Sequence, residues 1–440
     1  MAPAAAPSTD YRQPLGHQTM SSNTIHITDF EQPIYTPEML KIMQTLAAQS
    51  ISLDRESLLA KAQEQLDVPI HVDQDMLDRF RALHHEVLAN GPVHSVGRMG
   101  LHNRAVDGIA DVSRMEYLHK TFPEVGDTPI TKPIIVAGMP RSGTTHLLKL
   151  LSSEPTLRTL YRWQTYRSFP SRAMLEGREA DNRAEKGAQK DALLDVTLPH
   201  FRSLFDVEAT DSTEEIEAMS KACYGVTLSF QGDVPHYDEH FYGTDQTPAY
   251  RFLYRFLQAV QWSERFPPGS RWLLKSPQHL GALTAVRKVF PDASLVFTHR
   301  DPASVFTSLV TMIGYCIRST YSSATKQQII AKTLRMQHGF LRGLVRDIDQ
   351  IPGPVEHVYF HQFMQNKAET VERIYQIAGL DFDAAAQARI DEVTQAHSRG
   401  RRGKVIYDLE TDFGLTRDQI RQEFAYYIDR FPVAIEETHQ

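Results

Sequence analysis

The chain has 440 residues and 41% of them are hydrophobic, so it is long enough to bury a large core and is not disordered as a whole. Its formal net charge of −7 excludes the global basic field of duplex nucleic-acid binders, and no nucleic-acid partner is expected. Two cysteines, Cys223 and Cys316, are too few for a disulfide framework and indicate a reducing, cytoplasmic compartment. No apolar run reaches the roughly 20 residues that span a bilayer, so no transmembrane segment is expected.

Residues 1–28 are rich in Ala, Pro, Ser, Thr and Gln and show no apolar period, which predicts a disordered lead-in. From residue 37 to about 118, apolar residues recur at helical spacing. We therefore predict a helical N-terminal region over residues 29–125. It is followed by one α/β domain over residues 126–440, which includes a basic C-terminal segment.

A glycine-bounded loop interrupts the most apolar stretch of the chain. Residues 133–137 are a short β-branched run, typical of a buried parallel strand, and residues 138–143 break it. A helix is predicted to start near Gly143. Strand, loop and helix N-terminus together form an anion site, because unpaired backbone N–H groups converge there and the helix dipole favours negative charge. Thr144 and Thr145 add hydroxyl donors.

The same loop has the length of a Walker A motif, and Arg141 adds a positive charge to it. The lysine expected after Gly143 is replaced by Thr144, which argues against an ordinary ATPase or GTPase. A tight strand-to-helix turn that binds no ligand is the alternative interpretation.

Strands and helices alternate through the rest of the chain. Further strands are predicted at residues 157–163, 271–275, 294–298 and 355–360. Helices are predicted at residues 172–189, 247–266, 278–290, 302–317, 326–347, 367–378, 384–397 and before residue 431. The first of these helices is highly charged, and we expect its charges to be solvated. This alternation is typical of βαβ units and predicts an α/β fold with a mostly parallel sheet.

A further helix is predicted to start within residues 200–219. Asp211, Ser212 or Thr213 is expected to cap it. Glu214 and Glu215 then fall in its first turn, where acidic side chains suit the helix dipole.

A second candidate anion site lies at the end of the strand predicted over residues 294–298. Arg300 ends this strand, and Ser308 lies eight residues later on the following helix. Open α/β sheets bind ligands at this carboxyl edge, where Arg300 can hold a phosphate bidentately while Ser308 donates from about two turns along the helix. The alternative is an arginine that pairs with Asp301 and a serine that faces solvent.

These motifs resemble those of sulfotransferases that use 3′-phosphoadenosine 5′-phosphosulfate (PAPS). The core Arg141-Ser142-Gly143-Thr144-Thr145 resembles their 5′-phosphosulfate loop, and Arg300 with Ser308 resembles their 3′-phosphate element. Arg401-Arg402-Gly403-Lys404 resembles, with a different residue order, their late basic segment that closes on the 3′-phosphate. A flexible basic loop without a ligand is the alternative there. The layout is similar to the bacterial-type sulfotransferase family over about residues 132–431.

The resemblance implies a P-loop-like three-layer αβα fold with an N-terminal helical layer. It also implies PAPS as co-substrate, PAP as product and no metal. The chain departs from the animal cytosolic members at two places. His146 stands where they have a tryptophan that stacks on adenine, and Lys275 and His279 are four residues apart instead of two.

The resemblance also implies roles for these residues. Arg141 would stabilise the leaving phosphate, and residues 142–145 would bind the 5′-phosphate. Lys275 would assist at the sulfuryl group. His279 is a candidate general base because its ordinary pKa is apt, although a structural histidine is equally compatible with its position. Glu215 or Glu214 is the rival base, and the sequence does not choose among them.

The sequence does not identify the acceptor, which is expected to be a small-molecule, lipid or glycan hydroxyl or amine. Two other functions stay open: a nucleotide-dependent kinase or NTPase on the same scaffold, and a non-catalytic nucleotide-binding protein. The oligomeric state is also open, with a dimer among the options.

Overall fold

The computed structural model describes residues 24–205, 208–396 and 404–437. The strands are Thr24–His26 (β1), Ile134–Gly138 (β2), Leu157–Arg158 (β3), Arg271–Lys275 (β4), Ser294–His299 (β5), Val355–Tyr359 (β6) and Lys404–Ile406 (β7). Five of them form a central parallel sheet in the order β3-β4-β2-β5-β6, and β1 pairs with β7 in a separate two-stranded sheet.

The central strand β2 is buried along its whole length, as its continuous apolar sequence predicts for a sheet that is covered on both faces. Its neighbours are β4, where Val136 lies opposite Lys275, and β5, where Gly138 lies opposite Thr298. All three strands run parallel, so their carboxyl ends meet at one edge. This edge carries the loop that follows β2.

Alternate residues of the sheet face two separate hydrophobic layers. Ile135 and Phe297 pack into the larger core, which includes the N-terminal helices. Ile134 and Val296 pack into the smaller one, with the helices Thr144–Leu151 and Lys367–Ala378. The arrangement is a three-layer αβα sandwich, so the predicted α/β fold class is confirmed.

The N-terminal helical layer is also confirmed. Four of its helices begin at a side chain that accepts a hydrogen bond from a backbone N–H of the first turn, and these caps are Thr36, Asp54, Asp73 and His94. The helices of this layer are Pro37–Ala47, Arg55–Glu64, Gln74–Asn90, Ser95–Thr121 and Pro123–Gly126.

The helices of the first half of the α/β region are Thr144–Leu151, Arg162–Tyr166, Arg172–Leu175, Arg183–Thr197, Phe201–Leu204, Ile216–Ser220, Pro235–Gly243 and Thr247–Ser263. Those of the second half are Leu283–Val289, Pro302–Cys316, Lys326–Asp347, Phe360–Gln365, Lys367–Ala378, Ala384–Ala396, Leu409–Phe413, Arg417–Glu423 and Ala425–Ile428. Short 3₁₀ helices occur at Val226–Gln231, Pro277–Gly281, Ile317–Ser319 and Ile348–Gln350. No helix in the described ranges combines the length and apolar character needed to cross a membrane.

Several predicted elements differ from the structure. The helix predicted over residues 278–290 is divided into the 3₁₀ helix Pro277–Gly281 and the α-helix Leu283–Val289. The strand predicted over residues 157–163 ends at Arg158, because Gln164 caps a new helix by accepting the N–H of Tyr161 at 2.8 Å. The exposed helix predicted over residues 172–189 is wrong as well, because two separate helices, Arg172–Leu175 and Arg183–Thr197, occupy this region. Its charges are not all solvated, since Arg183 is buried and pairs with Glu264 at 2.8 Å.

The lead-in predicted to be disordered through residue 28 differs from the structure at its end. Thr24–His26 forms β1, which pairs with β7 from the far end of the chain. The His26 imidazole lies 3.1 Å from the Asp412 carboxylate, and Asp29 pairs with Arg318 at 2.8 Å. These partners are distant in sequence, so local composition did not predict the strand.

Candidate active site

The loop after β2 is attached to the neighbouring strand β5. Ser142 Oγ donates to the Met139 carbonyl at 2.6 Å and lies 2.6 Å from Thr298 Oγ1. A Cβ added to Gly138 would lie 1.8 Å from Thr298 Oγ1, so only glycine allows this approach. These contacts therefore fix the position of the loop relative to the end of β5.

The loop backbone is turned into the left-handed region at two residues, Arg141 with φ of 71° and Gly143 with φ of 91°. For a residue with a side chain this conformation costs on the order of 1 kcal/mol, and such strain is concentrated at functional sites. The turn ends directly at the helix Thr144–Leu151. The first N–H groups of that helix have no partner within it, which leaves donors for an anion.

The Arg141 side chain crosses from this loop to three other parts of the protein. Its Nε donates to Ser308 Oγ at 2.9 Å and its Nη1 to the Leu204 carbonyl at 2.9 Å. Its Nη2 lies 3.4 Å from the Tyr407 hydroxyl. All these partners are neutral. Within the described residues, the positive charge of Arg141 has no carboxylate partner.

Arg300 lies beside Arg141 at the carboxyl end of β5. Its Nη1 donates to the Arg141 carbonyl at 2.6 Å, and its guanidinium stacks 4.0 Å from the centre of the Phe360 ring. Its Nε and Nη2 form an ion pair with the Glu436 carboxylate at 2.6 and 2.7 Å. The structure therefore brings Arg141, Arg300 and Ser308 together at one edge of the sheet.

The alternative interpretation of Arg300 and Ser308 is wrong. Ser308 is buried against Arg141 and does not face solvent. Asp301 pairs with Arg421 at 2.9 Å and with Arg417 at 3.3 Å, and it caps the helix Pro302–Cys316.

On the other side of the loop, β4 ends in the buried Lys275, whose ammonium contacts the Glu214 carboxylate. The backbone N–H of Lys275 donates to Glu215 Oε2 at 2.9 Å. The predicted cap at residues 211–213 and the predicted first-turn position of Glu214 and Glu215 are therefore wrong. The helix begins only at Ile216 and has no side-chain cap, so both carboxylates turn toward β4 instead.

His279 lies four residues beyond Lys275, in the 3₁₀ helix Pro277–Gly281. Its Nε2 contacts Glu215 Oε1, and its Nδ1 lies 2.8 Å from the Tyr250 hydroxyl. His279 and Glu215 have side-chain exposures of 0% and 1%, whereas Glu214 is 17% exposed. The three candidate bases thus lie together, but only Glu214 reaches solvent.

Two pKa values in this cluster are shifted. Burial alone would raise the pKa of Glu215, but the charge and hydrogen bond of His279, with backbone N–H donors, hold it below its usual value. Burial and the neighbouring Glu215 charge raise the pKa of Tyr250 well above its ordinary value. The Glu215 carboxylate is therefore ionised at neutral pH and Tyr250 keeps its proton.

The remaining candidates, His146 and residues 401–404, are not part of the contacts among Arg141, Arg300 and Ser308. His146 follows Thr145 in the first turn of its helix, and its ring centroid lies 5.5 Å from that of Phe363. Lys404 begins β7 and is exposed. Arg401, Arg402 and Gly403 lie outside the described residues. No three or more His, Cys, Asp and Glu side chains form a possible metal site in the described ranges.

Sequence reasoning missed several residues of this edge. Thr298 had a weak signal, because it lies two residues before Arg300 in a predicted strand. Tyr250 occurs in an ordinary amphipathic helix, and Glu436 in a tail without any motif. Neither position carries a local pattern that indicates a site.

The fold and this edge define a P-loop-like α/β protein, with a glycine-bounded loop between a central strand and a helix N-terminus. The model of the Sulfotransferase family matches residues 133–384, more than half of the chain, so the chain belongs to that family. The family resemblance drawn from the motifs is confirmed. No curated protein sequence matches significantly.

Two solved structures are similar over most of the chain. Sulfotransferase STF9 from Mycobacterium avium has a TM-score of 0.74 and 24% identity, covering 89% of this chain and 100% of its own. Sulfotransferase STF1 from Mycobacterium tuberculosis H37Rv has a TM-score of 0.71 and 22% identity, covering 86% of this chain and 100% of its own. At these identities the likeness concerns the fold.

Proposed function

We propose that the protein is a PAPS-dependent sulfotransferase. It moves a sulfuryl group from PAPS to a hydroxyl or amine of a small-molecule, lipid or glycan acceptor. One observation carries the proposal: Arg141, whose described partners are all neutral, lies in direct contact with Arg300 and Ser308. A cationic edge joined in this way suits a ligand with two phosphate groups, such as PAPS or PAP.

The residues of the edge fit the two phosphates. Backbone N–H groups of residues 142–145 and the hydroxyls of Thr144 and Thr145 hold the 5′-phosphate, because Gly138 and Gly143 let the loop turn tightly at a helix N-terminus. Arg300 and Ser308 hold the 3′-phosphate. His146 and the basic segment 401–404 are proposed as further nucleotide contacts.

The transfer forms a bond from the acceptor oxygen or nitrogen to sulfur as the bond from sulfur to the donor phosphate oxygen breaks. The acceptor proton passes to a base, and PAP leaves with the negative charge. Arg141 stabilises the charge on the leaving phosphate. Lys275, at the end of the adjacent strand, stabilises the sulfuryl oxygens.

Exposure separates the candidate bases. A base must reach the acceptor proton within about 3 Å, directly or through one water. Glu214 is the candidate with solvent access, and it contacts Lys275. We assign proton acceptance to Glu214, and the positioning of Lys275 to the buried pair Glu215 and His279. His279 is the alternative base. Because its side chain is buried, it would have to rotate before it could accept the acceptor proton.

Nucleotide preference tests the donor assignment. Calorimetric titration with PAP and ADP should give about ten- to a hundredfold tighter binding of PAP, the range of a charge-assisted phosphate contact. Equal affinities would contradict the proposal. Parallel transfer assays with PAPS and ATP over a panel of alcohols, phenols and amines separate it from a kinase or NTPase.

The Arg141→Ala variant separates the enzyme from a non-catalytic nucleotide-binding protein. The transfer rate should fall by more than the nucleotide affinity, because Arg141 acts on charge that develops during the reaction. Persisting PAP affinity with unchanged sulfation of any accepted substrate would refute its catalytic role.

A further inference from the structure

The segment 432–437 passes over the edge of the sheet and is held there by residue 436. The Glu436 N–H donates to Asp301 Oδ2 at 3.0 Å. Its carbonyl accepts from Arg421 at 2.8 Å and from Arg417 at 3.2 Å. The backbone of this residue is therefore anchored independently of its side chain.

The Glu436 carboxylate binds Arg300 on the side that a phosphate would use. The face of the Arg300 guanidinium lies on Phe360, and Nη1 is used by the Arg141 carbonyl. Nε and Nη2 form the bidentate edge, and both donate to Glu436. A planar guanidinium binds one carboxylate or phosphate at such an edge.

We propose that Glu436 and the 3′-phosphate of PAPS or PAP compete for the Nε/Nη2 edge of Arg300. Two anions on one edge repel each other, so the carboxylate must turn away before the phosphate binds there. Its backbone anchors to Asp301, Arg417 and Arg421 do not involve the carboxylate, so the side chain turns while the tail stays in place. Glu436 therefore weakens nucleotide binding and accelerates the release of PAP.

This inference rests on the proposed function, in which Arg300 binds the 3′-phosphate. Its consequence is specific to that phosphate. A nucleotide that lacks it, such as adenosine 5′-phosphate, does not compete with Glu436. The contribution of Glu436 should appear in the affinity for PAP and be absent from the affinity for adenosine 5′-phosphate.

Titration calorimetry with PAP and adenosine 5′-phosphate tests the competition in the full chain. Glu436→Gln keeps the shape of the side chain and removes its charge, and it should bind PAP about three- to tenfold tighter. Its affinity for adenosine 5′-phosphate should equal that of the wild type. Glu437→Gln changes the exposed neighbouring carboxylate and serves as the matched control, with both affinities unchanged.

The same titrations on a protein that lacks the Arg300 guanidinium complete the test. In the Arg300→Ala protein, the further change Glu436→Gln should no longer alter PAP affinity. In the wild-type protein, Glu436→Ala should raise PAP affinity as Glu436→Gln does. If Glu436→Gln binds PAP equally or more weakly while remaining folded, the competition is overturned. If the wild type itself fails to prefer PAP over adenosine 5′-phosphate, the 3′-phosphate site of the proposed function fails instead.

Discussion

The backbone carbonyl of Arg141 accepts a hydrogen bond from Nη1 of Arg300 at 2.6 Å, across 159 residues of sequence. The contact joins the strained loop after β2 to the end of β5. Ser308 completes the link by accepting from the Arg141 side chain. The two arginines therefore form one unit, and a change at either should disturb the position of the other.

Removing the Arg141 guanidinium should weaken PAP binding at least tenfold, because a charge with neutral described partners is lost from the proposed phosphate site. Arg141→Lys should recover part of the affinity, since a lysine keeps the charge and loses the fixed fork. Titration calorimetry measures both. Arg178→Ala, which removes an exposed arginine paired with Glu176, is the control and should bind as the wild type does.

Gly138→Ala should destabilise the protein by about 1–3 kcal/mol, the usual cost of overpacking. The added Cβ would lie 1.8 Å from Thr298 Oγ1, so Thr298 must give up its contact with Ser142 or β2 and β5 must separate. Urea unfolding measures the loss. Gly126→Ala, where an added Cβ has no atom within 4 Å, should leave stability nearly unchanged. Equal stabilities of the two variants would show that the loop relaxes freely.

Glu214→Gln should lower kcat by about 10²–10⁴-fold and leave PAP affinity within a factor of about two, because a general base acts in the chemical step. The pH dependence of kcat should lose its acid limb in this variant. His279→Asn is the discriminating comparison. If a folded His279→Asn protein loses the acid limb and the Glu214→Gln protein keeps it, then His279 is the general base.

Glu215→Gln should reduce the free energy of unfolding at pH 7 by about 3–5 kcal/mol, the cost of breaking a buried ion pair. The folded pKa of Glu215 is lowered, so its stabilisation is present above the unfolded value of about 4.3. As pH falls through the lowered folded pKa, that stabilisation is lost and the two proteins should converge. Urea unfolding from pH 7 to about 3 should show a constant gap down to about pH 4.3 and closure only below that value.

Acid should also destabilise the protein through two buried histidines. Burial lowers the pKa of His299 to about 3 and that of His84 to about 4. The unfolded chain takes up protons below pH of about 6.5 and the folded protein does not, so stability falls as pH decreases from that value. His299→Asn should flatten this decline, whereas His240→Gln, at an exposed position, should not.

Much of the fold was predictable because its signals are local. The apolar run of β2, the loop that ends it and the position of Arg300 at the end of β5 all lie within short stretches, and parallel pairing brings their ends together. The strand predicted through residue 163 was wrong, because the local bond between Gln164 and Tyr161 starts a helix there.

The cluster of Glu215, Tyr250, Lys275 and His279 was less predictable, because its contacts are non-local. Glu215 meets Lys275 across 60 residues, and Tyr250 meets His279 from another helix. Local rules placed both glutamates in the first turn of a helix, and tertiary contacts with β4 prevailed. Glu436 reaches Arg300 across 136 residues from a segment without any motif, so its position follows from the folded tail alone.

The position of β2 between β4 and β5 has a practical consequence for engineering. The residues assigned to the nucleotide lie on the β2 and β5 side, and those assigned to the acceptor lie on the β4 side. Mutant libraries directed at new acceptors can therefore be confined to the surroundings of β4, with donor affinity conserved as an internal check on each variant.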